Sequence, residues 1–147
     1  MEAYVKINDN SVLGGWYDDA LGSGIRLSYS NPILVNVTMI NNSGNVGGGM
    51  YLSYSNPILI NSIVWGNSPV SIVLDSGSEQ LIIAYTDIEG DWEGEGNIDS
   101  DPHFANPENG DYTLQNSSPC IDAGTSYFEL DGEVLINLYP FEYCGSA

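Results

Sequence analysis

Residues 27–36 read Leu27-Ser28-Tyr29-Ser30-Asn31-Pro32-Ile33-Leu34-Val35-Asn36, and residues 52–61 read Leu52-Ser53-Tyr54-Ser55-Asn56-Pro57-Ile58-Leu59-Ile60-Asn61. The offset is 25, and twelve of 22 positions agree between Gly24–Asn45 and Gly49–Val70. A fixed period of this size is the mark of a solenoid, so it governs the reading of everything around it. Each copy holds one short apolar run, Ile33 to Val37 or Ile58 to Ile60, entered through Asn-Pro. Proline fixes its own φ and biases its predecessor towards extended backbone, so Asn-Pro reads as a turn into a strand. Gly22-Ser23-Gly24 and Gly47-Gly48-Gly49 mark further bends. The unit is two or three short strands joined by tight turns.

A unit that small cannot bury its own apolar face. Stacked coils do bury it, pairing each coil with the next as parallel strands. The expected fold is therefore all-β: a parallel β-helix of about three to four coils in one domain, with an irregular acidic C-terminal cap. A leucine-rich repeat fits worse, because its spaced leucines are missing and the runs are β-branched. Stacking sets Tyr29 over Tyr54, Asn31 over Asn56, Asn36 over Asn61 and Asn42 over Asn67. Asparagines stacked in register hydrogen-bond along the column, so these residues are read as structural.

Working outward, residues 22–46 and 47–70 form two full coils. A weaker third runs from Ser71 to Gly90. In it Ser71-Ile72-Val73-Leu74 is set against Gly49-Met50-Tyr51-Leu52, and Leu81-Ile82-Ile83-Ala84 against Ile58-Leu59-Ile60-Asn61. Residues 1–21 read as an incomplete first coil and a loop, with Val5, Ile7, Asn10 and Ser11 opposite Val37, Met39, Asn42 and Ser43 at an offset of 32. Such a start implies either a fragment of a longer protein or an open end covered by a partner chain. The runs at 33–35, 58–60 and 81–83 are apolar without alternation, as expected of strands covered on both faces. The cover is either the C-terminal segment or another subunit, and a homodimer through the outer strand face or the open coil end is the form the second takes.

The formal net charge is −18. Lys6 and Arg26 are the only bases, which argues against nucleic acid and anionic membranes. No apolar stretch approaches the roughly 20 residues of a membrane-spanning helix. Residues 1–74 carry four acids and residues 75–147 carry sixteen, so the charge sits in the C-terminal half. Asp87 to Asp101 alone holds seven carboxylates in fifteen residues. Calcium takes six to eight oxygens, and this stretch offers carboxylates at alternate positions with glycines that let the backbone wrap. Asp91, Glu93, Glu95, Asp99 and Asp101 are the expected metal ligands, although the spacing is not that of an EF-hand. A solvated acidic loop is the alternative. Cys120 and Cys144 are the only cysteines. They are read as a disulfide in an exported protein, or as buried thiols in a reducing compartment.

Three segments, residues 56–67, 84–102 and 110–124, resemble the right-handed parallel β-helix modules of large secreted bacterial proteins of the choice-of-anchor Q kind. They include Asn61-Ser62-Ile63-Val64-Trp65-Gly66-Asn67, Tyr85-Thr86-Asp87-Ile88-Glu89-Gly90 and Ser117-Ser118-Pro119-Cys120-Ile121-Asp122-Ala123-Gly124. The resemblance implies a right-handed helix, an extracellular or cell-surface setting, and a parent that continues past Ala147. It implies no single activity.

The leading functional expectation is a structural or binding module, stabilised by calcium, that takes a carbohydrate or small-molecule ligand. The alternative is a calcium-dependent hydrolase or lyase acting on a lactone, an ester or a polysaccharide. β-Helices resemble polysaccharide lyases that pair Ca²⁺ with a basic residue, and Arg26 is the only base on a coil strand. His103, the only histidine, is the candidate general base for a metal-activated water. Each has a plainer reading: a solvated charge for Arg26, and a packed or turn-capping residue for His103.

Overall fold

The computed structural model describes residues 5–8 and 24–137. Its strands are β1 (Val5–Asn8), β2 (Ile25–Ser28), β3 (Ile33–Val35), β4 (Val37–Ile40), β5 (Met50–Ser53), β6 (Ile58–Ile60) and β7 (Ile63–Trp65). They continue as β8 (Ile72–Leu74), β9 (Ile82–Ala84), β10 (Asp87–Ile88), β11 (Phe104–Asn106), β12 (Asp111–Leu114), β13 (Tyr127–Leu130) and β14 (Glu133–Asn137). The one helical element among the described residues is the 3-10 turn Pro107–Asn109. Three parallel sheets run in the orders β1-β4-β7-β10, β2-β5-β8 and β3-β6-β9. The chain is thus an all-β solenoid, each strand pairing with its equivalent one period away. β11-β12 and β13-β14 are antiparallel hairpins.

The 25-residue repeat is the pairing register itself. Ile25 to Ser28 lie opposite Met50 to Ser53, and Ile33 to Val35 opposite Ile58 to Ile60. Val5 to Asn8 lie opposite Val37 to Ile40, as the offset of 32 requires; Asn10, Ser11 and the loop after them lie outside the described residues. Ile72 to Leu74 lie opposite Met50 to Leu52, also as expected. The last strand needs a correction. Ile82, Ile83 and Ala84 pair with Ile58, Leu59 and Ile60, one residue away from the alignment read from the sequence. A one-residue slip exchanges the two faces of a strand. Tyr85 sets the true register: it takes the left-handed corner position of Asn36 and Asn61, with φ of 49° against 55° and 51°.

Alternate residues of the strands point inward. Val37, Met39, Met50, Leu52, Leu59, Val64, Ile72, Ile83 and Ile88 form the interior core. The corners are held by columns of polar side chains that accept the preceding coil's backbone N–H. Ser30 N–H donates to Ser55 Oγ and Ser55 N–H to Ser78 Oγ, at 3.1 and 3.0 Å. Val37 N–H donates to Ser62 Oγ at 3.1 Å, and Ser62 N–H to Thr86 Oγ1 at 3.3 Å. Inside, Asn67 Oδ1 accepts from Asn42 N–H and Asn42 Nδ2, while Asn67 Nδ2 donates to Met39 O. Both asparagines are buried, so these bonds satisfy groups that would otherwise be costly in the core.

Tyr29 and Tyr54 stack with ring centroids 4.9 Å apart and planes 1° from parallel. The column ends at Gly77, where a β-carbon would come within 2.6 Å of the Tyr54 ring. Gly96 ends the Tyr85 column in the same way, at 2.5 Å. At both places a residue with φ near +70° lies flat under an aromatic ring, which only glycine does without a clash.

The outer face of β3-β6-β9 is covered by the C-terminal hairpin. Ile60, Ala84, Phe128 and Ile136 form a second buried cluster, with Val35, Ile58, Tyr85, Leu130 and Leu135 against it. That accounts for the apolar runs without alternation: Leu34, Leu59 and Ile83 face the interior, while Ile58, Ile60 and Ala84 face the hairpin. The chain's own C-terminal segment, one of the two expected covers, lies on this face. Ile33, at the far end of this face, stays 48% exposed.

Candidate functional site

A concavity lies between the solenoid and the segment that returns over it. It has a volume of about 600 Å³. Its floor is made of outward-facing residues of β4, β7 and β10 and the corner before them: Thr38, Ile63, Asp87, Asn36, Asn61 and Tyr85. Cys120 and residues 122–126 line it from the returning segment. Thr38, Ile63 and Asp87 occupy one register position on three successive coils. The sequence therefore puts a carboxylate where the previous coil has isoleucine.

Asp87 is 3% exposed. Its Oδ1 accepts from Ser100 N–H at 3.2 Å, and its Oδ2 accepts from the Cys120 thiol at 2.9 Å. Burial pushes the Asp87 carboxyl above its ordinary range, against the opposing pull of the Cys120 and Ser100 hydrogen bonds. Burial, with Asp87 beside it, pushes the Cys120 thiol up to about 12. Of the two readings of the cysteines, a disulfide or buried thiols, Cys120 stands as a free thiol bonded to the Asp87 carboxylate; Cys144 lies outside the described residues. This bond ties the returning segment to β10 across 33 residues of chain.

A second tie sits at the corner. Asn61 Nδ2 donates to Thr125 O, and Asn61 Oδ1 accepts from Thr125 N–H, both at 2.8 Å. One side-chain amide thus satisfies both backbone hydrogen-bonding groups of Thr125. Gly124 makes the approach close: a β-carbon there would stand 3.2 Å from Asn61 Oδ1.

The residues expected from the sequence are dispersed. Arg26 is exposed on β2, its guanidinium carbon 5.8 Å from the centroid of Tyr51, its partner on the next coil. His103 is exposed, with φ of 51°; its N–H donates to Asp101 Oδ1 at 2.8 Å, and Nδ1 lies 3.2 Å from both Ser117 O and Ser117 Oγ. It lines a separate hollow with Ile40, Trp65 and Phe104, and neither it nor Arg26 lines the Asp87 cleft.

Among the carboxylates, Asp99 Oδ2 accepts from Gly90 N–H and Asp91 N–H, closing the loop between them. Glu95 Oε1 accepts from the Tyr85 hydroxyl at 2.6 Å, and this bond, foremost, raises the tyrosine's pKa. Asp91, Glu93 and Asp99 line one shallow hollow of about 420 Å³, without Glu95 or Asp101. Among the described residues, no three His, Cys, Asp or Glu side chains converge closely enough to hold a metal ion.

Asp87, Cys120 and the Asn36–Asn61 pair were not singled out as site residues from the sequence. The signal for Asp87 was weak: it puts a carboxylate after Thr38 and Ile63, but the same column begins with the charged Lys6. The signal for Asn61 was absent, because its partner Thr125 is 64 residues away. No family model matches the chain, and no curated protein or solved structure matches it either. Among the described residues no helix is long and apolar enough to cross a membrane.

Proposed function

We propose that this chain is a binding module. In this reading it is a right-handed parallel β-helix of three to four coils, closed by its acidic C-terminal segment, that presents the Asp87 cleft to a non-anionic partner. The observation that carries the reading is the cleft: about 600 Å³, lined by amides, hydroxyls, Tyr85, Asp87 and Asp122, with no Lys or Arg among the described lining residues. Such a surface offers hydrogen bonds in both directions and repels anions. Its buried titratable pair is badly suited to chemistry. A thiol held up at about 12 supplies almost no thiolate at neutral pH, and both Asp87 oxygens are already engaged. Holding a partner fits these groups better than turning one over.

The resemblance to secreted choice-of-anchor Q modules supports an exported, surface-attached parent for such a module. Calcium enters as a structural ion on one ground, the shared hollow of Asp91, Glu93 and Asp99. A Ca²⁺-selective rise in Tm over EDTA, with Mg²⁺ as control, supports that ion, and no rise removes it.

The binding reading is tested by titrating ¹⁵N-labelled protein with a neutral oligosaccharide, spermidine, a neutral peptide and, as control, a polyuronate. The expected result is that at least one non-anionic probe shifts the amides of Thr38, Ser62 and Thr125. Silence from all three, or a response to the polyuronate alone, contradicts it.

A further inference from the structure

Asn36 and Asn61 hold the same register position one coil apart, both at left-handed φ, each following a strand whose outward residues are apolar. Asn61 spends its whole side-chain amide on the backbone of Thr125. The Asn36 side chain has no hydrogen bond among the described residues, and it lines the same cleft. Next to it, the hairpin that buries Ile60 leaves Ile33 48% exposed. The docking pattern that receives the chain's own C-terminal segment is thus written twice and, among the described residues, filled once.

We propose that the Asn36 position is a docking site for an extended polypeptide strand from a partner, gripped through its backbone as Thr125 is gripped by Asn61. The proposal rests on the cleft being a binding site and names the class of its occupant. Three observations favour a polypeptide. The first is the Asn61–Thr125 pair, which shows what this amide does at this corner: it donates to the carbonyl and accepts from the N–H of one and the same residue. The second is spacing. Successive coils of a parallel β-solenoid are about 4.8 Å apart, the separation of neighbouring strands. A strand held by Asn36 therefore lies one strand spacing from residues 124–126, continuing an interface the molecule already has. The third is composition. Gly124 lets the backbone approach Asn61, and Asp87 and Asp122 in the cleft disfavour an acidic strand. The occupant is a neutral or basic segment with a Gly-Thr or Gly-Ser step followed by apolar residues.

The probe is a synthetic peptide with the sequence of residues 123–130 carrying Glu129→Lys, titrated into the full ¹⁵N-labelled chain beside a scrambled peptide. The expected result is a saturable shift of the Asn36 side-chain NH₂ and of the Val35 and Val37 amides. Asn36→Ala should weaken the peptide at least tenfold. Asn36→Asp, which accepts but does not donate, should weaken it as well, and both variants should keep the spectrum's dispersion. Equal affinity for the scrambled peptide, or affinity unchanged in both variants, overturns the proposal. Concentration-dependent shifts at Asn36 without peptide assign the position to a second copy of this chain and also overturn it. If the oligosaccharide or spermidine moves cleft resonances and the peptide does not, the peptide proposal falls and the binding reading stands; if no probe moves them, both fall.

Discussion

Two asparagine columns run along this solenoid, and they behave differently. Asn42 and Asn67 face inward and are buried; Asn67 accepts from Asn42 and donates to Met39 O of the preceding coil and to Trp65 O of its own. Asn36 and Asn61 stand at the opposite side of strand β4 and its neighbour β7, facing the cleft, and there the amides do not ladder. Asn61 reaches out to Thr125, and the Asn36 side chain has no hydrogen bond among the described residues. The residue type, the period and the stacking are the same in both columns. What differs is what lies beyond the side chain. An inward amide finds its own column and the carbonyls of neighbouring strands, whereas an outward one competes for whatever chain returns over the surface. A repeat thus fixes position without fixing role.

The comparison breaks first, and hardest, at Asn67. Asn67→Ala removes the acceptor for two Asn42 donors and the donor to Met39 O, leaving buried groups unpaired. It should cost about 3 kcal/mol in urea unfolding, since each such orphan costs about 1–3 kcal/mol. Asn61→Ala loses two bonds at a half-buried corner and should cost about 1–2 kcal/mol, with faster amide exchange concentrated in residues 123–128. Tyr54→Ala breaks the Tyr29 stack at an exposed corner and should cost about 1 kcal/mol, in line with measured aromatic pairs. Asn36→Ala should change stability by less than about 0.5 kcal/mol, as a surface substitution does, because its side chain has no hydrogen bond to lose among the described residues.

Asp87 sharpens the account through pH. Burial raises its pKa in the folded state, so the folded chain holds that proton more tightly than the unfolded one. Its contribution to stability is complete below the unfolded pKa, about 3.9, and is lost as pH rises through the raised folded value. Asp87→Asn should therefore flatten the stability profile in that window. Measured as the difference between wild type and variant, the variant should gain relative stability from about pH 4 upward. A difference independent of pH contradicts the burial described here.

Much of the fold was legible in the sequence, because a repeat constrains itself: each coil must pair with its own copy, so Ile33 to Val35 could only lie against Ile58 to Ile60. Legibility failed where the repeat decays. Leu81 was matched with Ile58 on hydrophobicity alone, and nothing in that short apolar run distinguishes the two registers. The corner residue does, but Tyr85 does not look like asparagine. The apolar outer face was also legible as covered, and left open between two covers, since the pairing of Phe128 with Ile60 spans too much sequence for a local pattern to reveal. The site was less legible still. The dense acids from Asp91 to Asp101 drew attention because charge is conspicuous in a sequence, yet Asp99, Asp101 and Glu95 spend oxygens on turns and on Tyr85. The groups that line the cleft are ordinary ones, and only the returning chain gives them a role.

The most direct test of the account is side-chain amide exchange, read by NMR, for Asn67, Asn61 and Asn36 in the unliganded protein. Protection should fall in that order: Asn67 close to global unfolding, Asn61 set by local release of the segment around Thr125, and Asn36 near the rate of a free amide. Asn61 exchanging as freely as Asn36 would mean that the C-terminal segment is not held at this corner, and the cleft built on that contact would not exist.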